Sequence, residues 1–484
     1  MTLEKLEPRP VWKQFAALAA IPRPSKQEER AAAYVLEEAR RRGREARRDA
    51  AGNVLVRVPA TRGREKAPPV VLQGHLDMVC EKNRDVTHDF MKDPIRPRVS
   101  GDFVTASGTT LGADNGIGVA AALAVLASDD LDHGPLELLF TVDEETGLTG
   151  ASRLEPAFVT GRAMLNLDSE EDGVLYVGCA GGRDSNLTLE VARAAPPATT
   201  VPLRVTVDGL RGGHSGVNIH ENRGNALKLL ARVLLAAEEL EPSLAALEGG
   251  DKHNAIPREA TALVYASDPG RLSELAARLH EGFRTELEGT DDGIRVAVER
   301  APSPSETTVL ARADGVRLLR LMGSLPHGVL ALSSAIPGLV ETSSNLAVTR
   351  LSGSQARIVT SSRSSVASAL DGVLQQIRSA ALLAGAVVET TDGYPGWKPN
   401  PRSPLLKTAR DVHRKLRGGD PQVTAIHAGL ECGIIGQRIP GMDMISFGPQ
   451  IEGAHSPEER VRIPSVAAFW EYLRAMLAEL AVAA

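Results

Sequence analysis

The sequence predicts an α/β protein with a mixed, mostly parallel sheet flanked by helices and an inserted α+β domain. Three observations predict it. Short apolar runs alternate with helical stretches up to residue 182. From about Arg183 the texture changes to the alternation expected of a sheet with one wet face. After residue 395 the α/β texture returns. The expected domains are therefore residues 1–182 and 396–484, with 183–395 inserted between them.

Residues 11–48 read as two helices split by Ile21-Pro22-Arg23-Pro24-Ser25, with Ser25 and Glu28 forming a capping box for the second. The basic run from Arg40 to Arg48 reads as a solvated helix end followed by a turn. Asn53–Val58 alternates like a strand, and Val70-Val71-Leu72 is a buried-strand signal running into Gly74-His75-Leu76-Asp77. Gly112-Ala113-Asp114-Asn115-Gly116 opens an Ala-rich helix reaching about Ser128. Strand signals at Leu136–Val142 and Ala163–Leu167 run into Asp143-Glu144-Glu145 and Asp168. The inserted region begins with a strand at Leu203–Val207, a helix over about Asn225–Leu240 and a strand near Thr261–Tyr265. Another helix and a strand at Ile294–Val298 follow, and a similar order between about Asp314 and Glu389 suggests two α+β halves of like layout. Thr391–Trp397 is turn-rich and reads as a hinge. A strand at Met444–Phe447, a loop carrying His455 and a helix from about Pro464 complete the chain.

A chain of 484 residues is too long for one ordinary core. Aromatics make up only 3%, which leaves the core to Leu, Val, Ile and Ala and argues against stacking platforms for single-stranded nucleic acid. Lys and Arg total 55 against 61 Asp and Glu, a net charge of −6, so nucleic acid is not an expected partner. Three scattered cysteines suggest no disulfide framework, the first ten residues lack a signal-peptide core, and no apolar run is long enough for a membrane span. A cytoplasmic protein without membrane partners is expected.

Several hydrophobic strands share one ending, an acidic residue or a histidine. Sites in open α/β sheets collect at the carboxyl ends of the strands, so His75, Glu144, Glu145, Asp168 and His455 are expected to converge, with Asp114 on the same rim. Imidazole and carboxylate ligands suit a divalent ion such as zinc. Two ions in one site need a bridging anion; a carboxylate has two oxygens for it, and Asp114 is the candidate. His75 and His455 are then terminal ligands, one each, with Glu145 and Asp168 completing the two shells. Asp77, two residues after His75 in an extended segment, points the same way and can fix its tautomer. Glu144 is left to act as a general base. Taken singly, each of these residues has a plainer reading as a helix cap, turn or solvated loop residue. The set carries the argument.

Gly74-His75-Leu76-Asp77-Met78-Val79-Cys80, Leu111-Gly112-Ala113-Asp114-Asn115-Gly116, Asp143-Glu144-Glu145-Thr146-Gly147 and Asn166-Leu167-Asp168 resemble the dinuclear-zinc dipeptidase and carboxypeptidase family. Met78 to Asn83 is similar to its aminoacyl-histidine dipeptidase branch. The resemblance spans nearly the whole chain. It implies that His75 and Asp168 bind one metal, Glu145 and His455 the other, and that Asp114 bridges beside a non-proline cis peptide. Asp77 would orient His75, and Glu144 would be the base for attack by a metal-bridging hydroxide. His214, in Gly212-Gly213-His214-Ser215-Gly216, would stabilise the oxyanion, although taken alone it reads as a turn histidine. Asn254, Arg363 and Gly429 match substrate-binding positions; Arg363 would pair with the substrate carboxylate, against a plainer reading as a surface ion pair.

The implied cofactors are two divalent ions, zinc first, with cobalt or manganese as alternatives. The implied substrates are dipeptides such as Xaa-His with a free carboxylate. The implied assembly is a homodimer through the inserted domain, which would also serve as a lid. Tripeptidase, carboxypeptidase and N-acyl amino acid deacylase activities are the alternatives within the family. A non-catalytic metal- or peptide-binding protein is the alternative outside it, disfavoured because Glu144 and Asp77 are not needed simply to hold metal.

Overall fold

The computed structural model describes residues 3–302, 304 and 306–482. Contacts divide the chain into two compact units. The first comprises Met1–Gly178, Pro399–Ala425 and Leu430–Ala484; the second comprises Cys179–Lys398 and Ile426–Gly429.

The first unit is built on the expected mixed sheet. Its eight strands lie in the order Glu45–Arg48, Val54–Val58, Leu136–Thr141, Val70–His75, Ala163–Asn166, Asp443–Ser446, Val174–Cys179 and Gln422–Ile426. The middle four, from Leu136–Thr141 to Asp443–Ser446, are mutually parallel, while Val54–Val58 and Val174–Cys179 pair antiparallel on either side. Val70–His75 and Leu136–Thr141 are buried at every position, as central parallel strands covered on both faces must be.

The helix Ala113–Ala127 packs against Val70–His75 and the helix Arg9–Ala19. Small residues let it come close. A Cβ on Gly74 would sit 2.3 Å from Asn115 Oδ1, and one on Gly118 would sit 2.3 Å from the Leu167 carbonyl oxygen. The helix start, which carries Asp114, is thereby seated on two strands that carry other site residues.

The structure corrects several local expectations. Ser25 does not cap the second helix, Glu29–Arg41, whose cap residue is Glu28 without a side-chain capping bond. Ser25 Oγ donates instead to Asp77 Oδ2 at 2.7 Å, and Glu28 Oε1 accepts the Asp143 backbone N–H at 2.9 Å. Ser25 is thus drawn to a partner across the fold, while Glu28 Oε1 also accepts the local Lys26 N–H at 2.7 Å. The basic run continues beyond its turn into an edge strand, Glu45–Arg48, because pairing with Val54–Val58 supplies its backbone partners. Val174–Cys179 and Gln422–Ile426 are strands that the apolar pattern did not flag.

The second unit is an antiparallel sheet of nine strands with the helices Ala226–Ala236, Pro269–Glu286, Arg312–Ser324 and Ala367–Leu383. Leu203, Leu230, Phe283, Leu318, Leu346 and Ile377 lie in one continuous apolar core. Two α+β layouts are recognisable, but Glu248–Gly249 pairs with Thr349–Arg350, so their strands form one sheet. Among the described residues, no helix is long and apolar enough to cross a membrane.

Candidate metal centre and active site

All four parallel strands of the first unit release a site residue at or beyond their carboxyl ends. His75 is the last residue of Val70–His75, and Glu144 and Glu145 follow Leu136–Thr141. Asp168 lies two residues beyond Ala163–Asn166, and His455 lies farther past Asp443–Ser446, in the turn after the short strand Ile451–Glu452. Asp114 enters from the helix start, next to a cis Asp114–Asn115 peptide.

The two oxygens of Asp114 face different histidines. Oδ1 lies 3.1 Å from His75 Nε2, and Oδ2 lies 3.0 Å from His455 Nε2. His75 Nε2 is also 3.4 Å from Asp168 Oδ1, and His455 Nε2 is 3.1 Å from Glu145 Oε2. Two triads therefore share one carboxylate: His75, Asp114 and Asp168 on one side, Asp114, Glu145 and His455 on the other. Within each triad the candidate donor atoms lie within 4.8 Å of one another. Glu144 joins a third such group with His75 and Glu145.

This donor set fits divalent cations. Glu145 Oε1 and Asp168 Oδ1 are buried without any hydrogen-bond partner, a costly state for carboxylate oxygens unless a cation meets them. The set also draws protons. Contacts with Asp114 and Glu145 push the His455 imidazole up to about 11. Burial, reinforced by neighbouring carboxylates, pushes Glu144 and Asp168 well above the usual carboxylate range. Burial works the same way on Asp114, but His455 and His75 outweigh it and hold Asp114 below that range. A site with so many crowded anions is better satisfied by metal cations than by protons.

Asp77 is fully buried behind His75, its Oδ1 3.4 Å from Nδ1. That separation is an ion-pair distance, and Nδ1 makes no hydrogen bond of good geometry. The Asp77 carboxylate also accepts the backbone N–H groups of Glu144 at 3.1 Å and Glu145 at 3.2 Å. It thus positions two segments that carry candidate ligands at once.

In the second unit, His214 has a defined tautomer. Its Nδ1 accepts backbone N–H groups from Gly216 at 3.2 Å and Val217 at 3.0 Å, which leaves the proton on Nε2. Burial and the nearby Arg363 and His253 charges lower its pKa, so it stays neutral with Nε2–H as a donor. Arg363 is buried, unlike a surface ion pair. Its Nη1 donates to Tyr394 Oη at 2.5 Å, its Nε has no partner, and among the described residues no carboxylate lies at ion-pair distance from it. Gly429 backs the same tyrosine: a Cβ there would come within 2.7 Å of the Tyr394 ring. Asn254 is half-buried, and its carbonyl accepts the Ser215 N–H next to His214.

Sequence reasoning missed four buried residues around these groups. Arg23 and Glu459 bind the backbone beside the candidate ligands. Glu431 accepts hydrogen bonds from Gln73 and Thr141, each at 2.6 Å, and burial pushes its pKa up to about 7. In the second unit, His427 Nε2 lies 2.7 Å from Ser343 Oγ while Nδ1 is unpartnered. Glu459 was within reach of the sequence, four residues beyond His455 in the loop already singled out. Nothing in the local pattern marks the other three.

Strand-end donors around a shared carboxylate are the arrangement that a metal-dependent hydrolase needs. The chain belongs to peptidase family M20/M25/M40, whose model matches residues 71–479. It is 43% identical over 481 residues to the cytosol non-specific dipeptidase of Escherichia coli, covering 99% of both chains. It is also 43% identical to the aminoacylhistidine dipeptidase structure from Vibrio alginolyticus, with a TM-score of 0.94 over 99% of this chain and 98% of that one. The aminopeptidase PepT structure from Bacillus cereus, at 17% identity and a TM-score of 0.58, covers 98% of this chain and 99% of that one and shares the fold. The family resemblance read from the motifs is borne out.

Proposed function

We propose that this protein is a metal-dependent dipeptidase that hydrolyses Xaa-His and other short peptides with a free C-terminal carboxylate. The observation that carries the reading is Asp114, with one oxygen turned to each of two donor triads. His75 and Asp168 would hold one ion, Glu145 and His455 the other, and Asp114 both. Divalent ions in such a site, zinc first and cobalt or manganese next, supply Lewis acidity and acidify water.

The chain's own residues do the rest. Glu144 takes a proton from the attacking water as its oxygen adds to the scissile carbonyl carbon. Glu144 then delivers that proton to the amide nitrogen as the C–N bond breaks. Asp77 keeps His75 and the Glu144 backbone in place. His214, with Nε2–H free to donate, stabilises the developing oxyanion, and Arg363 receives the substrate carboxylate. Asn254 and Gly429 complete the substrate-binding set. The same reading makes residues 183–395 a lid and homodimerisation domain, and makes the protein cytoplasmic, in keeping with the name of its Escherichia coli relative.

The test is a substrate panel on metal-stripped protein reconstituted with zinc, cobalt or manganese. β-Alanyl-histidine, other Xaa-His dipeptides, tripeptides, C-amidated dipeptides and N-acyl amino acids are compared by kcat/KM. Dipeptides with a free carboxylate are expected to be the best substrates. Faster turnover of tripeptides or acyl amino acids would overturn the reading.

A further inference from the structure

The Asp114 segment is held from both sides by two buried charges that are not themselves candidate ligands. Glu459 is 2% exposed, and its carboxylate accepts four consecutive backbone N–H groups. Oε2 accepts from Leu111 at 2.7 Å and Gly112 at 2.9 Å, and Oε1 accepts from Ala113 at 2.7 Å and Asp114 at 3.3 Å. The Glu459 N–H closes a turn onto the Ser456 carbonyl at 3.0 Å, directly after His455. One residue therefore ties the His455 loop, through its main chain, to the Asp114 loop, through its side chain.

Arg23, also 2% exposed, reaches the same segment through one carbonyl, that of Gly112. Its Nη2 donates to the Gly112 carbonyl at 2.5 Å, and its Nη1 donates to the carbonyls of Leu76 at 2.9 Å and Asp77 at 2.6 Å. Gly112 thus has its N–H on Glu459 and its C=O on Arg23. It adopts a φ of +69°, and a Cβ there would come within 2.6 Å of Arg23 Nη2. Only glycine satisfies both demands. Charge-assisted hydrogen bonds of this kind are stronger than neutral ones and fix direction as well as distance.

We infer that Glu459 and Arg23 are positioning residues that lock the Asp114 carboxylate in its bridging orientation, and so determine whether the site holds two ions or one. The inference rests on the metal-centre reading above. Loss of the Glu459 carboxylate frees residues 111–114 without breaking a bond to the segments that carry His75, Asp168 and Glu145, and lets Asp114 turn toward a single partner. The second ion then loses the shared oxygen.

The experiment is a cobalt(II) titration of metal-free parent, Glu459→Gln and Arg23→Lys proteins, followed by calorimetry and visible absorption. Circular dichroism checks folding. The parent is expected to bind two ions. In Glu459→Gln the first ion should bind within about threefold of the parent, while the second weakens by about 10- to 100-fold, the range for groups that orient ligands. Arg23→Lys, which also frees the Leu76 and Asp77 carbonyls beside His75, should weaken the second ion by as much. The absorption spectrum of the doubly loaded site should then appear only at excess cobalt. Parent-like binding of both ions by both variants would overturn the inference. So would loss of folding in both, since that would assign the residues to the fold and not to ligand geometry. A parent that binds fewer than two ions would instead overturn the metal-centre reading itself.

Discussion

Asp77 Oδ1 accepts the backbone N–H of Glu144 at 3.1 Å. The carboxylate behind His75 thus holds the main chain of the proposed base, and the side chain of Glu144 can be removed without releasing its segment. Glu144→Ala is accordingly expected to keep its metal content and lose about 10²- to 10⁴-fold in kcat, the usual worth of a positioned base. Metal analysis alongside steady-state kinetics on an Xaa-His dipeptide checks this. Near-normal turnover would remove Glu144 from the role.

His455 belongs to only one of the two triads that share Asp114. His455→Ala should therefore bind one ion per chain after dialysis where the parent binds two, with the His75 triad intact. Elemental analysis reads the stoichiometry directly. Complete loss of metal would mean that the two triads do not fill independently.

Arg363 is buried without an anionic partner among the described residues, and Tyr394 fixes one of its nitrogens. Arg363→Lys keeps the charge but loses the planar fork that matches a carboxylate. KM for a free dipeptide is expected to rise about tenfold, equivalent to about 1.4 kcal/mol. A C-amidated dipeptide, lacking the carboxylate, should barely notice the change. Equal losses on both substrates would place Arg363 outside carboxylate recognition.

A stability prediction comes from His327 in the second unit. Burial and the Lys228 charge lower its pKa to about 4, and the Asn225 amide sits 3.3 Å from its Nδ1. In the unfolded chain a histidine titrates near 6.5. Between those values the unfolded state takes up a proton that the folded state does not, so stability falls as pH drops from about 6.5 to about 4 and the effect levels off below. The full effect is roughly 3 kcal/mol at about 1.4 kcal/mol per pH unit. In His327→Gln, urea midpoints measured by circular dichroism across this range should slope less steeply than in the parent. Identical slopes would refute the assignment.

The strands that deliver the candidate ligands were legible because each pairs an unbroken apolar run with a polar end, and central parallel strands need that pattern. Val70–His75 and Leu136–Thr141 are of this kind. Gln422–Ile426 was not legible, because it lies at the sheet edge and is largely unburied. Ser25 was misread because its spacing to Glu28 imitates a cap, while its hydrogen-bond partner, Asp77, lies 52 residues away. Arg23 and Glu431 escaped for the same reason. Their partners are remote backbone carbonyls and side chains, and a local pattern does not show which distant groups will need a counter-charge.

The chain order of the donors has a consequence for biosynthesis. His75, Asp114, Glu145 and Asp168 all precede the second unit, whereas His455 and Glu459 follow it. Domains emerge and fold from the N-terminus during translation. A nascent chain therefore carries the residues of one triad before the second unit is made, but the other triad stays one residue short until after it. On the proposed reading, cutting power arrives only after the second unit has been made.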